Sequence, residues 1–237
     1  MTVALALLVG GAFAFLSTLD PVGDADLFWH LGTAHDIAVR GWGAPDTLSW
    51  TAAGVPVATD QWLGQRILGA AFDLAGWRGV LAFRAAGAFA LTGLAAYAAL
   101  SVRPTAPLLA VAAALPGILL TRSITTERPQ LIGFACFALL LVVLCRARGR
   151  GPRALIWAVP LIAVWANVHG SFALGVGLVF IACCERTVSD RRAWFPYAAI
   201  AAAAFAASLL TPAGAGTWTA PGLHLTAPPR EIQEWAV

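Results

Sequence analysis

Residues 129–153 read PQLIGFACFALLLVVLCRARGRGPR. The run from Pro129 to Cys145 carries no charged side chain, and Arg146, Arg148, Arg150 and Arg153 follow at once in one short loop. An uncharged apolar run is what hydrocarbon accepts, and about 20 such residues cross its ~30 Å at 1.5 Å per residue. Short arginine-rich loops stay on the cytoplasmic side of a bilayer. This one stretch therefore predicts a membrane helix and the direction in which it runs.

The pattern repeats outward from there. Apolar runs of the same kind occupy Thr2–Leu19, Gly79–Ser101, Thr105–Thr121, Ala154–Val168, Phe172–Cys184 and Ala193–Leu210. The whole chain of 237 residues is 59% hydrophobic and 11% charged, where a soluble domain is about a quarter charged. The fold class expected is all-α: a polytopic membrane protein with about seven transmembrane helices. Thr2–Leu19 reads as a retained helix, because it lacks a basic leader and exceeds the usual apolar length of a signal peptide. Pro116-Gly117 and Pro160 are expected to bend their helices. Cys136, Cys145, Cys183 and Cys184 lie in apolar runs without metal-ligand or redox spacing and read as packing residues. A small transporter fits poorly, since its midplane should carry ionisable groups and these runs are centred on Ala, Leu, Val and Phe.

Arginine placement orients the rest. Arg186, Arg191 and Arg192 fill a second basic loop two helices after the first, so both loops are expected in the cytoplasm, with Arg103 beside them. Arg122–Pro129 then falls outside, as do Asp20 and Gly79. Ten of the twelve acids land on that outer face, against eight of the fifteen arginines inside. The segment Asp60–Gly76 must begin and end on one face, so it lies on the membrane and does not span it. The chain divides as a single module over 1–237: an outer loop at 20–78 with two juxtamembrane helices, a bundle at 79–210 and an outer tail at 211–237.

The outer loop concentrates the chemistry. Asp20, Asp24, Asp26, Asp36, Asp46 and Asp60 all lie in it, with His30 and His35. Asp24–Arg40 reads as an interfacial helix whose apolar face is Leu27, Leu31, Ala34 and Ala38. Asp24 or Gly23 would cap it, with Asp26 in the first turn. Asp26 and His30, four apart, share a face, and such a pair offers two ligands to a divalent cation. Thr59-Asp60 would cap the second helix, and Asp60 would face Asp26 if the two helices pack. Asp36, Asp46 and Asp73 read as capping or solvating residues.

The run Asp24-x-Asp26-Leu-Phe-Trp-His30-Leu-Gly32, followed by Pro45-Asp-Thr-Leu-Ser-Trp-Thr51, Asp60-Gln-Trp-Leu63, Gly76-Trp-Arg-Gly79 and Phe83-Arg84, resembles the first outer loop of the GT-C superfamily of polytopic glycosyltransferases. Trp165-Ala-Asn167-Val-His169-Gly-Ser-Phe172 and Glu231-Ile-Gln-Glu234-Trp235 are similar to motifs of its bacterial members. The resemblance implies inverting transfer of a sugar from a polyprenyl-phosphate carrier at the outer face of a bacterial cytoplasmic membrane. It implies an outer-loop aspartate as general base or metal ligand: Asp26 first, then Asp24, then Asp60. Arg66, Arg84, Arg122 and Arg128, all expected outside, suit the leaving phosphate, because a guanidinium fork matches its oxygens. His30 and His169 are further candidates to touch phosphate or sugar. Ion pairing with Asp60, Asp73 or Glu127 is the structural reading of the same arginines, and a turn-stabilising hydrogen bond that of His169. Membrane lipid and the lipid-linked sugar are the expected partners, with a membrane protein as a third; no nucleotide-binding motif is present, and nucleic acid is not expected. Family members continue with further helices or a soluble domain. A fragment, a minimal module or a non-catalytic subunit that binds a lipid or protein partner are the readings that fit the difference.

Overall fold

A computed structural model describes residues 2–48, 50, 53–54, 59, 61–102 and 105–219. Every regular element among them is helical: α1 (Thr2–Thr18), α2 (Leu27–Arg40), α3 (Trp62–Ala75), α4 (Trp77–Val102), α5 (Pro107–Leu120), α6 (Gln130–Arg146), α7 (Ala158–Ala166), α8 (Phe172–Ser189) and α9 (Trp194–Ser208). Three segments are long and apolar enough to cross a membrane: α4, α5 extended by a 3-10 turn to Ile124, and α8. The helices α1 and α6 and the segment Pro152–Ala166 are apolar but shorter. Large apolar side chains face outward, Leu8, Leu108, Leu174 and Phe195 each being more than 60% exposed. An outer surface of this kind belongs against lipid, and the chain is membrane-associated.

All seven apolar runs form helices. The first lies along α4, made possible by glycine: a Cβ on Gly10 would sit 2.9 Å from the Phe89 carbonyl oxygen and 3.2 Å from the Gly93 Cα. Small residues let membrane helices approach this closely, where dispersion replaces the hydrophobic effect as the attractive term. The longest helix, α4, also receives α6, α5 and α3. A second group, α7, α8 and α9, packs on α6 around Trp165, Phe172, Ile162 and Leu140. Pro116 lies inside α5. Pro160 is the third residue of α7, which starts at Ala158, so its missing amide falls in the first turn, where no intrahelical partner was available anyway.

The two ends of the bundle differ in charge. Asp20, Arg84, Arg122, Glu127, Arg128 and the Asn167 turn gather at one end. Thr2, Ser101, Arg146, Arg148 and Arg150 gather at the other. Both α2 and α3 lie at the first end, packed on one another.

The expected boundaries of α2 need correction. Its first helical residue is Leu27 and not Asp24, and Asp26 stands at the N-cap position without capping through its side chain. The buried face also turns, from Leu27, Leu31, Ala34 and Ala38 to Leu27, His30, Thr33 and Ala34. His30 faces Gln65 of α3 and Asp26 faces Arg128, while Leu31 is half-buried against Leu27, Leu68 and Val80 and Ala38 is exposed.

Candidate functional site

The site grows from the loop that joins α1 to α2. Asp24 Oδ1 accepts the Asp26 amide at 3.0 Å, folding the loop into an Asx turn. Its Oδ2 accepts Arg128 Nε at 2.6 Å. Arg128 Nη1 reaches Asp26 Oδ2 at 3.0 Å, so one guanidinium bridges both carboxylates. The three groups differ in exposure: the Asp24 side chain is 2% exposed, Arg128 24% and Asp26 52%. Burial pushes the Asp24 carboxyl up, but hydrogen bonds from Arg128, the Asp26 amide and Thr126 outweigh it and hold the group below the usual carboxylate range. Asp24 is thus a fixed anion inside the turn, and Asp26 presents its carboxylate to the surface.

A second ion pair braces the same end from beneath. Arg84 and Glu127 are both buried and form a charge-assisted hydrogen bond. Arg84 also donates to the carbonyls of Pro21, at 3.1 Å, and Asp20, which sew the start of the loop to α4. Arg122 closes the ring with two contacts to Asp20, 2.8 and 3.3 Å. The Asp20 carboxyl is lowered, chiefly by that hydrogen bond.

His30 lies one turn into α2, buried against Gln65, whose Nε2 is 3.3 Å from His30 Nδ1. Burial lowers the imidazole to about 4; the nearby Asp26 and Asp24 charges oppose that shift and Arg128 adds to it. The ring is therefore neutral at physiological pH. Gln65 Oε1 is buried and has no hydrogen-bond partner among the described residues.

The turn at 167–171 lies at the same end of the bundle, its Val168 carbonyl beside Gly64 of α3. The Trp165 indole N–H donates to Ser171 Oγ at 3.0 Å, leaving the hydroxyl proton to donate to His169 Nδ1 at 2.8 Å. The Ser171 amide also donates to Nδ1 at 3.1 Å. Two donors converging on Nδ1 place the ring proton on Nε2. Asn167 joins three elements, accepting the Trp62 indole N–H at 2.7 Å and donating to Ala163 O and Leu210 O, both at 2.8 Å.

Asp24, Asp26 and Arg128 meet directly, with His30 close enough to feel their charges. Arg66 is spent elsewhere: its Nη1 donates to the Ala34 carbonyl at 2.9 Å, tying α3 to α2. Arg84 is enclosed by Glu127 and backbone, and the structural reading of it prevails in this arrangement. Asp60 lies outside the described residues, as do Glu231, Glu234 and Trp235. For a divalent cation the fit is poor: no group of three His, Cys, Asp or Glu side chains forms among the described residues, and a guanidinium stands where Asp24 and Asp26 converge. Glu127 is one of the expected ion-pair partners and takes Arg84; Gln65 is the residue that sequence reading passed over. A polar side chain three residues before Leu68, on the buried stripe of α3, was the available signal for Gln65.

Two cavities reach this end of the bundle. One, of about 440 Å³, is lined by Asp24, Val22, Leu27, Phe28 and Trp77. The other, of about 400 Å³, is an almost wholly apolar cleft between α4, α5, α6 and α8, with Ile124 and Ser171 toward the acidic end and Leu91 and Leu141 deeper. Comparison with protein-family models, curated proteins and solved structures gives no match.

Proposed function

We propose that this chain is a membrane glycosyltransferase of GT-C type, moving a sugar from a polyprenyl-phosphate donor to an acceptor hydroxyl at the outer face of a bacterial cytoplasmic membrane. The observation that carries the reading is the convergence of Asp24 and Asp26 on Arg128, at the same end of the bundle as Ile124 and Ser171, which border an apolar interhelical cleft. In this reading seven helices cross, α2 and α3 rest at the outer surface, and the basic end faces the cytoplasm, as the arginine distribution favours. The exposed Asp26 carboxylate accepts the proton of the attacking hydroxyl. Asp24 holds Arg128 in place, and Arg128 and Arg122 set positive charge where the departing phosphate oxygen develops its negative charge. His169, with its proton on Nε2, is a neutral donor to the same phosphate or to the sugar. The cleft accommodates part of the isoprenoid chain. No step is routed through a metal.

The deciding experiment measures release of polyprenyl phosphate from a panel of synthetic polyprenyl-phosphate hexoses by the protein in nanodiscs. Asp26→Asn is expected to lower turnover by about 10²–10⁴-fold, with the melting temperature unchanged because the side chain is half exposed. Wild-type turnover in this variant removes Asp26 from the mechanism. A second reading, a non-catalytic subunit with the same shell, is favoured by one observation: Arg66, Arg84, Arg122 and Arg128 all have partners within the chain. No release from any hexose by the wild-type protein supports that alternative.

A further inference from the structure

At the basic end the opposite arrangement holds. Arg146, Arg148, Arg150 and Arg153 make no ion pair and no side-chain hydrogen bond among the described residues. The loop that carries them is nevertheless held in shape, because Arg186 donates to the Ala147 carbonyl at 2.7 Å and the Arg150 carbonyl at 3.3 Å. Unpaired cations on a braced loop present positive charge at a set position.

Two cavities meet at this loop, and both are bordered by Arg146 and Arg150. The first, about 790 Å³, is a cleft between α6 and the segment before and within α7, walled by Leu139, Val143, Leu161 and Val164. The second, about 540 Å³, lies on the other side of the arginines against Thr2 and Ser101 and is mainly polar. The apolar cleft extends along α6 from Arg146 to Cys136, about 15 Å at 1.5 Å per residue. That is one leaflet of a ~30 Å hydrocarbon core. Trp157, 69% exposed, lines the cleft near its basic mouth, at the level where tryptophan meets headgroups.

We infer that this is a binding site for an anionic glycerophospholipid, its phosphate between Arg146 and Arg150, its headgroup in the polar cavity and one acyl chain in the cleft between α6 and α7. Charge complementarity selects the anionic headgroup, and the leaflet-deep apolar groove selects a ligand with a chain over free phosphate. The inference depends on the membrane placement of α6 and not on the transferase reading.

The test is native mass spectrometry of the full chain released from nanodiscs containing phosphatidylglycerol and phosphatidylcholine with identical acyl chains. Phosphatidylglycerol is expected to be retained preferentially, and R146Q/R150Q to reduce that preference about thirty-fold, at the usual strength of two arginine contacts at an anionic surface. R191Q/R192Q removes the same charge from the same end without touching the cleft and is expected to keep wild-type retention. Leu161→Trp fills the groove and is expected to lower retention of both lipids. Inorganic phosphate at millimolar concentration is expected not to displace the lipid. Equal losses in the two arginine pairs, unchanged retention in R146Q/R150Q or L161W, or displacement by inorganic phosphate each overturn the site. Turnover of a polyprenyl-phosphate donor is unaffected by these outcomes, so failure here is separable from failure of the proposed reaction.

Discussion

At the scale of single residues, the acidic end is a set of charges with assigned partners, and their energetics can be measured one at a time. His30 is the clearest case. Its folded pKa of about 4 lies below the ordinary 6.5, so between these values the unfolded chain binds a proton that the folded chain refuses. Stability is therefore fully present above pH 6.5 and declines as pH falls toward 4, by about 3 kcal/mol at most. Asp26, Asp24 and Arg128 are the charged groups whose fields it feels. Asp24 has its pKa depressed below 3.8, so its contribution is lost only at lower pH and does not overlap this window. Thermal melts from pH 7.5 to 4.5 should show the decline in the wild-type protein, and His30→Gln should flatten it. The Arg84–Glu127 pair makes a second prediction. Glu127→Gln leaves a buried guanidinium short of its counter-charge and should cost about 3–5 kcal/mol. R84M/E127L, which removes both charges, should recover most of that loss in the same melts.

Secondary elements were largely legible in the sequence, because long apolar runs with few charges favour helices in which every backbone group is paired within the segment. Each of the seven runs is helical, Gly79–Ser101 with the one charge of Arg84 inside it. The start of α2 was not legible, since the residue that draws Asp24 and Asp26 out of capping is Arg128, 104 positions from Asp24. Local capping rules cannot contain such a partner. The site was legible in the same partial way. The crowding of acids pointed to Asp24 and Asp26, whereas the burial of Arg84 by Glu127 and the spending of Arg66 on Ala34 depend on how helices meet. Helix contact itself yields a prediction. Gly10→Leu drives side-chain atoms into the Phe89 carbonyl and should push α1 off α4, lowering the melting temperature, whereas Gly11→Leu, with open space around its Cβ, should leave it unchanged. Asn167→Ala removes three hydrogen bonds that join α3, α7 and α9 and should cost about 1 kcal/mol for each.

For the whole molecule, the decisive question is whether its two charged ends lie on opposite sides of one bilayer. Along α6 the distance from Gln130 to Arg146 is 17 residues, about 25 Å at 1.5 Å per residue. The ion-paired acidic end and the unpaired basic end are therefore separated by slightly less than a ~30 Å hydrocarbon core. If α6 crosses, a helix this short must stand nearly upright or thin the membrane around it, since tilt would draw its ends into lipid. Its arginines stay accessible in either case, because guanidinium groups extend along their own stems to reach water. Site-directed labelling tests the arrangement directly. In a background with Cys136, Cys145, Cys183 and Cys184 replaced by serine or alanine, Asp46→Cys should react with a membrane-impermeant maleimide in intact spheroplasts. Arg148→Cys should react only after permeabilisation. Reaction of both on the same side would mean an even number of crossings between them, and an outer acidic site facing an inner basic one could not then be built from this helix order.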